Sequence, residues 1–265
     1  MINAQYNILG WYDSLEARQW NRTIEEGGNE ELFRIFLETN SIPATQLIVD
    51  DATTANLYLL DSSDEVVGSA IAMTVESYSD SYVSYKRLIY LGTTLSGNDD
   101  GDYSLKIVNG SNTYYSDVFG WTSNSDYLND LLKISATSND IRLGDRYVLN
   151  MDSFTLECYI NADSLVVEPS VEEVAEKKYS VNSVVYGDLS FTRSFNVYGC
   201  EYIFRFLLGL RLIECNGTVT VTNQFRSYTA NDIMAEISDD HFSDTMQIKF
   251  SFVDLNETIG VYNSV

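Results

Sequence analysis

The chain has few of the residues that most often carry chemistry. Among 265 residues there is one histidine, His241, with three cysteines and two prolines. Nucleophilic triads need a base, usually histidine, to take the proton from serine or cysteine. A Ser116–His241–Asp set would require two distant parts of the chain to share one cleft, and nothing in the sequence argues for that. Cys158, Cys200 and Cys215 are odd in number and lack CxxC spacing, so buried free thiols are expected rather than disulfides or metal ligands. GxGxxG after a strand, the Walker loop, HExxH and GxSxG are all missing. The sequence therefore predicts no enzyme and no cofactor.

Basic residues are scarce too. Sixteen Lys and Arg stand against 39 Asp and Glu, a formal charge of −23. Such a surface repels phosphate backbones, and no segment gathers enough Lys and Arg to compensate, which excludes direct nucleic-acid binding. Long apolar runs are also lacking. The longest, "YIFRFLLGLRLI" at 202–213, holds two arginines and is too short to cross a bilayer. The opening "MINAQYNILGWYDSLEARQW" has no basic stretch followed by an apolar one, so neither a secretory leader nor a membrane partner is expected.

What is abundant is tyrosine and the texture of strands. Hydrophobic residues make up 45% of the chain and aromatics 13%, enough for a packed body rather than a disordered one. Nineteen tyrosines suit half-buried strands and wet interfaces, because the ring packs while the hydroxyl finds a partner. Residues 1–40 read as a polar arm with a short helix around Ser14–Asn21. From residue 41 short runs such as "LIVDD", "NLYLLD" and "SYKRLIYLG" alternate with Asp, Ser, Gly and Asn. "DYSLKIV" leads to Asn109-Gly110, a strong hairpin signal, and "SNTYYSDVFGW" (111–121) returns as the second arm. In that arm Tyr115, Asp117 and Phe119 are expected on one face, and Tyr114, Ser116 and Val118 on the other.

Polar "TSNSDYLND" marks a boundary near residue 125. Beyond it "FTLECYI", "SVNSVVYG", "LSFTRSFNVYG", "GTVTVTN" and "QIKFSFV" read as strands, "EPSVEEVAEKK" (168–178) as a loop or single helical turn, and about 201–210 as a short helix. The expectation is an all-β chain: an arm (1–40), then two tandem β-sandwiches (41–125 and 126–265), with one or two short helices.

Two acidic clusters invite a metal. Asp239, Asp240, His241 and Asp244 have suitable donors, yet a solvated acidic loop explains them equally. "GNDDGDY" (97–103) offers Asp99, Asp100 and Asp102, but it misses the EF-hand spacing and the closing glutamate. Neither cluster amounts to a predicted metal site.

The succession Gly101-Asp102-Tyr103-Ser104-Leu105-Lys106-Ile107, a turn, then Tyr114-Tyr115-Ser116-Asp117-Val118-Phe119 resembles a "G-x-Y-x-L-x-I … Y-Y-S-E-V-F" pattern. That pattern belongs to virion and tail proteins of phages and prophages of Bacteroidetes bacteria, crAss-like phages included. The lead-in is similar: a tryptophan near the start (Trp11 or Trp20), then "LETNSIPATQL" (37–47), like the family's "P-x-N-x-L-P-P-F-Q-I". Ala44-Thr45 and Asp117 depart from it, and the likeness covers roughly residues 10–125.

The resemblance implies a non-enzymatic virion part, such as a tail ring, collar, hub or fibre-attachment protein. Its partners would be copies of itself and other virion proteins. Tyr114, Tyr115, Val118, Phe119 and Trp121 are the residues expected at an interface or domain junction. The alternative is a glycan-binding β-sandwich, an adhesin or carbohydrate module, which would display aromatic rings along a groove.

Overall fold

The computed structural model describes residues 2–3, 7–18, 34–79, 84–138, 154–163, 165–178, 181–199, 201–215, 217–237, 246–254 and 259–261. Most of the described residues lie in strands, against three helices, so the protein is mainly β.

In chain order the first half carries β1 (Ile2–Asn3), β2 (Trp11–Tyr12), helical turn α1 (15–18), β3 (Phe36–Glu38), β4 (Ser41–Ile42), β5 (Thr45–Val49) and β6 (Ala55–Leu60). It continues with β7 (Val66–Ala72), β8 (Thr74–Ser79), β9 (Ser84–Tyr90), β10 (Thr93–Thr94), β11 (Gly101–Asn109), β12 (Asn112–Ser116) and β13 (Phe119–Thr122). The second half has α2 (Ser125–Asn129), β14 (Leu132–Ser138), β15 (Phe154–Ile160), β16 (Val166–Lys178) and β17 (Val181–Gly199). Helix α3 (Glu201–Glu214), β18 (Gly217–Thr222), β19 (Ser227–Ile237), β20 (Met246–Asp254) and β21 (Ile259–Val261) follow.

One sheet runs β1-β5-β9-β8. A second, far larger, runs β16-β17-β20-β19-β18-β14-β15-β3-β13-β11-β12-β2, with β21 on β17 and the β6–β7 pair attached to β11. The passage between the chain's halves is made by three strands. Gly120, Trp121 and Thr122 of β13 pair in parallel with Phe36, Leu37 and Glu38 of β3, and Phe36 faces Tyr159 of β15. Gly120 is needed there, because a Cβ would lie 2.6 Å from the Phe36 ring.

Alternation explains most of the packing. In β15 Leu156, Cys158 and Ile160 are buried on one face, as are Ile248, Phe250 and Phe252 of β20. Helix α3 covers β19, β18 and β14 with Ile203, Phe206, Leu207, Leu210 and Ile213, all at most 1% exposed. Those five keep helical spacing past Gly209, so the helix runs to Glu214 rather than stopping near 210. The opening segment, polar in overall texture, still puts Ile8, Leu9, Trp11, Ile35 and Leu37 into the core. Ser14 caps its helical turn by accepting the Ala17 N–H at 3.0 Å.

Other sequence expectations need correction. "EPSVEEVAEKK" is a strand, not a loop or helical turn, and "SVNSVVYG" and "LSFTRSFNVYG" are one 19-residue strand, not two. The polar stretch after Trp121 contains α2, whose Asn124 side chain accepts the N–H groups of Asp126 and Tyr127. "YVLNM" (147–151), which also reads as a strand in the sequence, lies outside the described residues.

Candidate functional site

The hairpin Asn109–Asn112 closes through Gly110 and Ser111, one residue later than the Asn-Gly signal suggests. Only Gly110 has positive φ, +59°, the pattern of a type II′ turn. Asn109 is 4% exposed and its amide donates to the Asp51 carbonyl at 2.8 Å, so this side chain is part of the packing.

Past the turn the return arm is not one strand. Lys106 faces Tyr115 and Tyr103 faces Phe119, so three steps along β11 meet four along the returning chain. The extra residue is a bulge at Asp117–Val118. It separates β12 from β13 and breaks the expected alternation, leaving Ser116, Asp117 and Phe119 all buried.

Two side chains hold the bulge. The Ser116 hydroxyl accepts the Leu105 N–H at 2.8 Å and donates to the Asp117 carbonyl at 2.8 Å. The Asp117 carboxylate accepts the Gly10 N–H at 3.0 Å, and the Asp117 N–H donates to the Gly10 carbonyl at 3.0 Å. The serine considered as a nucleophile therefore spends its hydroxyl on backbone groups. His241, its supposed partner, lies outside the described residues with Asp239, Asp240 and Asp244.

Of the five residues expected at an interface or junction, Phe119, Trp121 and Tyr114 are buried, while Tyr115 and Val118 are half-buried. Trp121 packs against Tyr103 (tilted, ring centroids 4.4 Å apart) and Phe119 (edge-on, 5.8 Å), and its indole N–H donates to the Ser41 carbonyl at 2.7 Å. Both Phe119 and Trp121 sit on β13, the strand that passes the sheet on through β3. Lys106 lies over the Tyr115 ring at 5.9 Å.

The acidic turn 97–103 is spoken for by the protein itself. Asp100 accepts from the Thr39 hydroxyl and from the N–H and hydroxyl of Ser123, and these bonds hold its carboxyl below the usual range. Asp102 pairs with Arg34 at 2.6 Å. Among the described residues no group of three or more His, Cys, Asp or Glu is arranged to hold a metal ion.

A charged cluster that the sequence reading missed sits where β3, β14 and β15 meet. Lys133 faces Tyr159 across the ladder and binds Glu157 at 2.7 Å. The Tyr159 hydroxyl donates to Glu38 at 3.1 Å. Burial pushes the Tyr159 hydroxyl up to about 12. Burial alone would lower the Lys133 ammonium, but its bonds to Glu157 and Tyr159 win and raise it. The signal was available: with Leu156, Cys158 and Ile160 facing the core, Glu157 and Tyr159 must share the opposite face.

Two further features belong to no motif. The first is a ribbon. Residues Val181–Tyr186 of β17 pair, among the described residues, with β16 alone, whereas β21 reaches only Gly187–Leu189 and β20 only Thr192–Gly199. At about 3.3 Å per residue the unsupported six residues span roughly 20 Å. Pro169 is tolerated because β16 is the edge strand of the sheet.

The second is a groove of about 480 Å³ beside the β18–β19 turn. Its walls include Leu131, Leu132, Leu165, Phe195 and Tyr228, with Asp130 and Asp163 among them and Phe225 at the rim.

Comparison with protein-family models, curated proteins and solved structures finds no match for this chain.

Proposed function

We propose that the chain is a non-enzymatic structural protein of a phage virion, a tail ring, collar, hub or fibre-attachment part that works through contacts in a symmetric oligomer. The observation that carries this reading is the ribbon. A two-stranded hairpin is marginal in water on its own, and here its far end has no third strand among the described residues. An open edge 13 residues long presents a row of backbone donors and acceptors to a neighbour. Next to the body, Val166 and Val167 are 47% and 41% exposed, and as successive strand residues they point to opposite faces. A hairpin whose described base, residues 166–170, is exposed on both faces fits a part that is completed by the next copy in a ring.

The finer architecture goes with the same reading: two sandwiches, 41–125 and 126–265. In the first, Leu47 and Leu88 from the β5–β9 sheet share a core with Leu57 and Leu105 from β6 and β11. Its place is the virion, assembled beside other tail proteins. An acidic surface of this kind suits a part that must not hold DNA by attraction.

Electron microscopy of the purified full chain tests the assembly. Closed rings of one symmetry are expected, and replacing residues 174–184 by a two-residue turn should abolish them while the thermal midpoint stays put. Rings that survive the shortening would remove the ribbon from the contact. A chain that stays monomeric at every concentration, and that is absent from purified particles of a culture carrying its gene, would sink the proposal.

A further inference from the structure

We propose that the Phe225 turn and the groove beside it form a two-fold contact between copies of this chain. The inference deepens the assembly reading and rests on it, but it uses a surface that contains no part of the ribbon.

Phe225 is 83% exposed, far more than any other large apolar residue described. An exposed phenylalanine gains nothing for an isolated chain, yet this one is held firmly in place. The Asn223 carboxamide oxygen accepts the Phe225 N–H at 3.1 Å and the Arg226 N–H at 2.9 Å, while the Asn223 N–H donates to the Arg226 carbonyl at 3.0 Å. Below the turn, the Thr222 and Ser227 hydroxyls bond each other at 2.9 Å. Arg226 lies over the Tyr228 ring at 5.6 Å. The turn is thus a rigid mount with an aromatic knob at its tip.

The hole is next to the knob. Its floor has leucines and the buried rings of Phe195 and Tyr228, and its volume is ample for a phenyl ring. A knob and a hole side by side on one surface are what a two-fold axis requires, since each copy then fills the other's groove. Charge points the same way. The knob is followed by exposed Arg226, and the groove wall carries Asp130 and Asp163. Crossing the axis brings one copy's guanidinium to the other's carboxylates. This matters in a chain of charge −23, whose copies otherwise repel.

Sedimentation equilibrium of the full chain, in the wild-type and ribbon-shortened forms, supplies the test. Both should contain a dimer, and Phe225→Asp should weaken it by roughly thirtyfold or more, the scale of a central aromatic anchor. Since the side chain points into water, far-UV dichroism should not move, nor should the thermal midpoint at concentrations low enough that both forms are monomeric. Arg226→Asp should weaken the dimer by about tenfold, and adding Asp130→Arg to it should restore most of the loss, which a merely structural role for either residue would not do.

An unchanged dimer in Phe225→Asp would overturn this contact while leaving ring formation through the ribbon intact. Loss of rings on ribbon shortening with the dimer preserved would separate the two surfaces in the other direction. A wild-type chain that stays monomeric but is retained on immobilised glycans, with retention lost in Phe225→Ala, would overturn the contact in favour of a sugar site.

Discussion

Strands β15 and β16 are neighbours in the chain and live in opposite surroundings. β15 lies between β14 and β3 and is buried on both faces near its end: Leu156, Cys158 and Ile160 meet the main core, while Tyr159 is covered by Leu128 and Leu131 from α2 and its following turn. Six residues past Ile160, β16 begins at the rim with one strand partner among the described residues, and residues 166–170 are exposed without a break. Propensity differs too, since β15 holds aromatic and β-branched residues while β16 holds four glutamates, two lysines and a proline, yet both form strands. What separates them is the number of neighbours. The body's strands are flanked on both sides, while along the rim β16 has β17 as its one strand partner among the described residues.

That contrast can be broken from the inside out. Leu156→Ala should cost roughly 2–5 kcal/mol, because it empties a fully buried site between packed layers. Chemical denaturation would measure it, and a loss below about 1 kcal/mol would mean β15 is not the packed centre described here. At the passage between halves, Gly120→Ala should cost about 1–3 kcal/mol, since the added methyl meets the Phe36 ring. Asp117→Ala should also cost about 1–3 kcal/mol by leaving the buried Gly10 N–H without its acceptor. Its amide-exchange signature would be faster exchange at Gly10 than at the flanking strand residues.

Alkali gives a smaller effect. Burial raises the hydroxyls of Tyr159 and Tyr90 from 10.0 to about 12. Their folded forms keep the proton that unfolded tyrosine would release, so the stabilisation is whole below pH 10 and is lost as the pH climbs toward 12. Tyrosinate absorbance should rise in two phases, and Tyr90→Phe with Tyr159→Phe should remove the part of the late phase due to these two rings. Smallest of all, Val167→Ala on the rim should change stability by no more than about 0.5 kcal/mol. A loss like that of Leu156→Ala would show the rim to be packed after all.

The parts legible in the sequence were those where one rule acted alone. Period-two burial gave "FTLECYI", "GTVTVT" and "QIKFSFV", and the Asn-Gly pair placed the β11–β12 turn to within one residue. Two bulges hid the rest. The one at Asp117–Val118 made a single arm of what are two strands. The other lies between Asn231 and Met234, where Asp232 takes φ +50° and the Glu214 carboxylate accepts the N–H groups of Asp232 and Ile233. That break in alternation concealed β19 altogether, because the clamping Glu214 lies 18 and 19 residues before the two residues it holds, a distance local pattern does not span. β16 was hidden differently. Glutamates and a proline read as a loop when nothing covers the strand, and only its long pairing with β17 makes it one.

For the candidate site, tyrosine abundance and the aromatic phrase drew the eye to residues that the fold uses largely inside. Phe225 stood in plain text in a turn, and its meaning depended on exposure, which sequence does not display.

Cys158 is wholly buried, and that desolvation raises its thiol well above the ordinary range, whereas Cys215 at the end of α3 is exposed. An alkylating reagent will therefore modify Cys215 promptly and reach Cys158 only when the middle of the sheet opens. Mass spectrometry of the Cys158 peptide, read apart from those of Cys200 and Cys215, becomes a clock for opening that needs no engineered site.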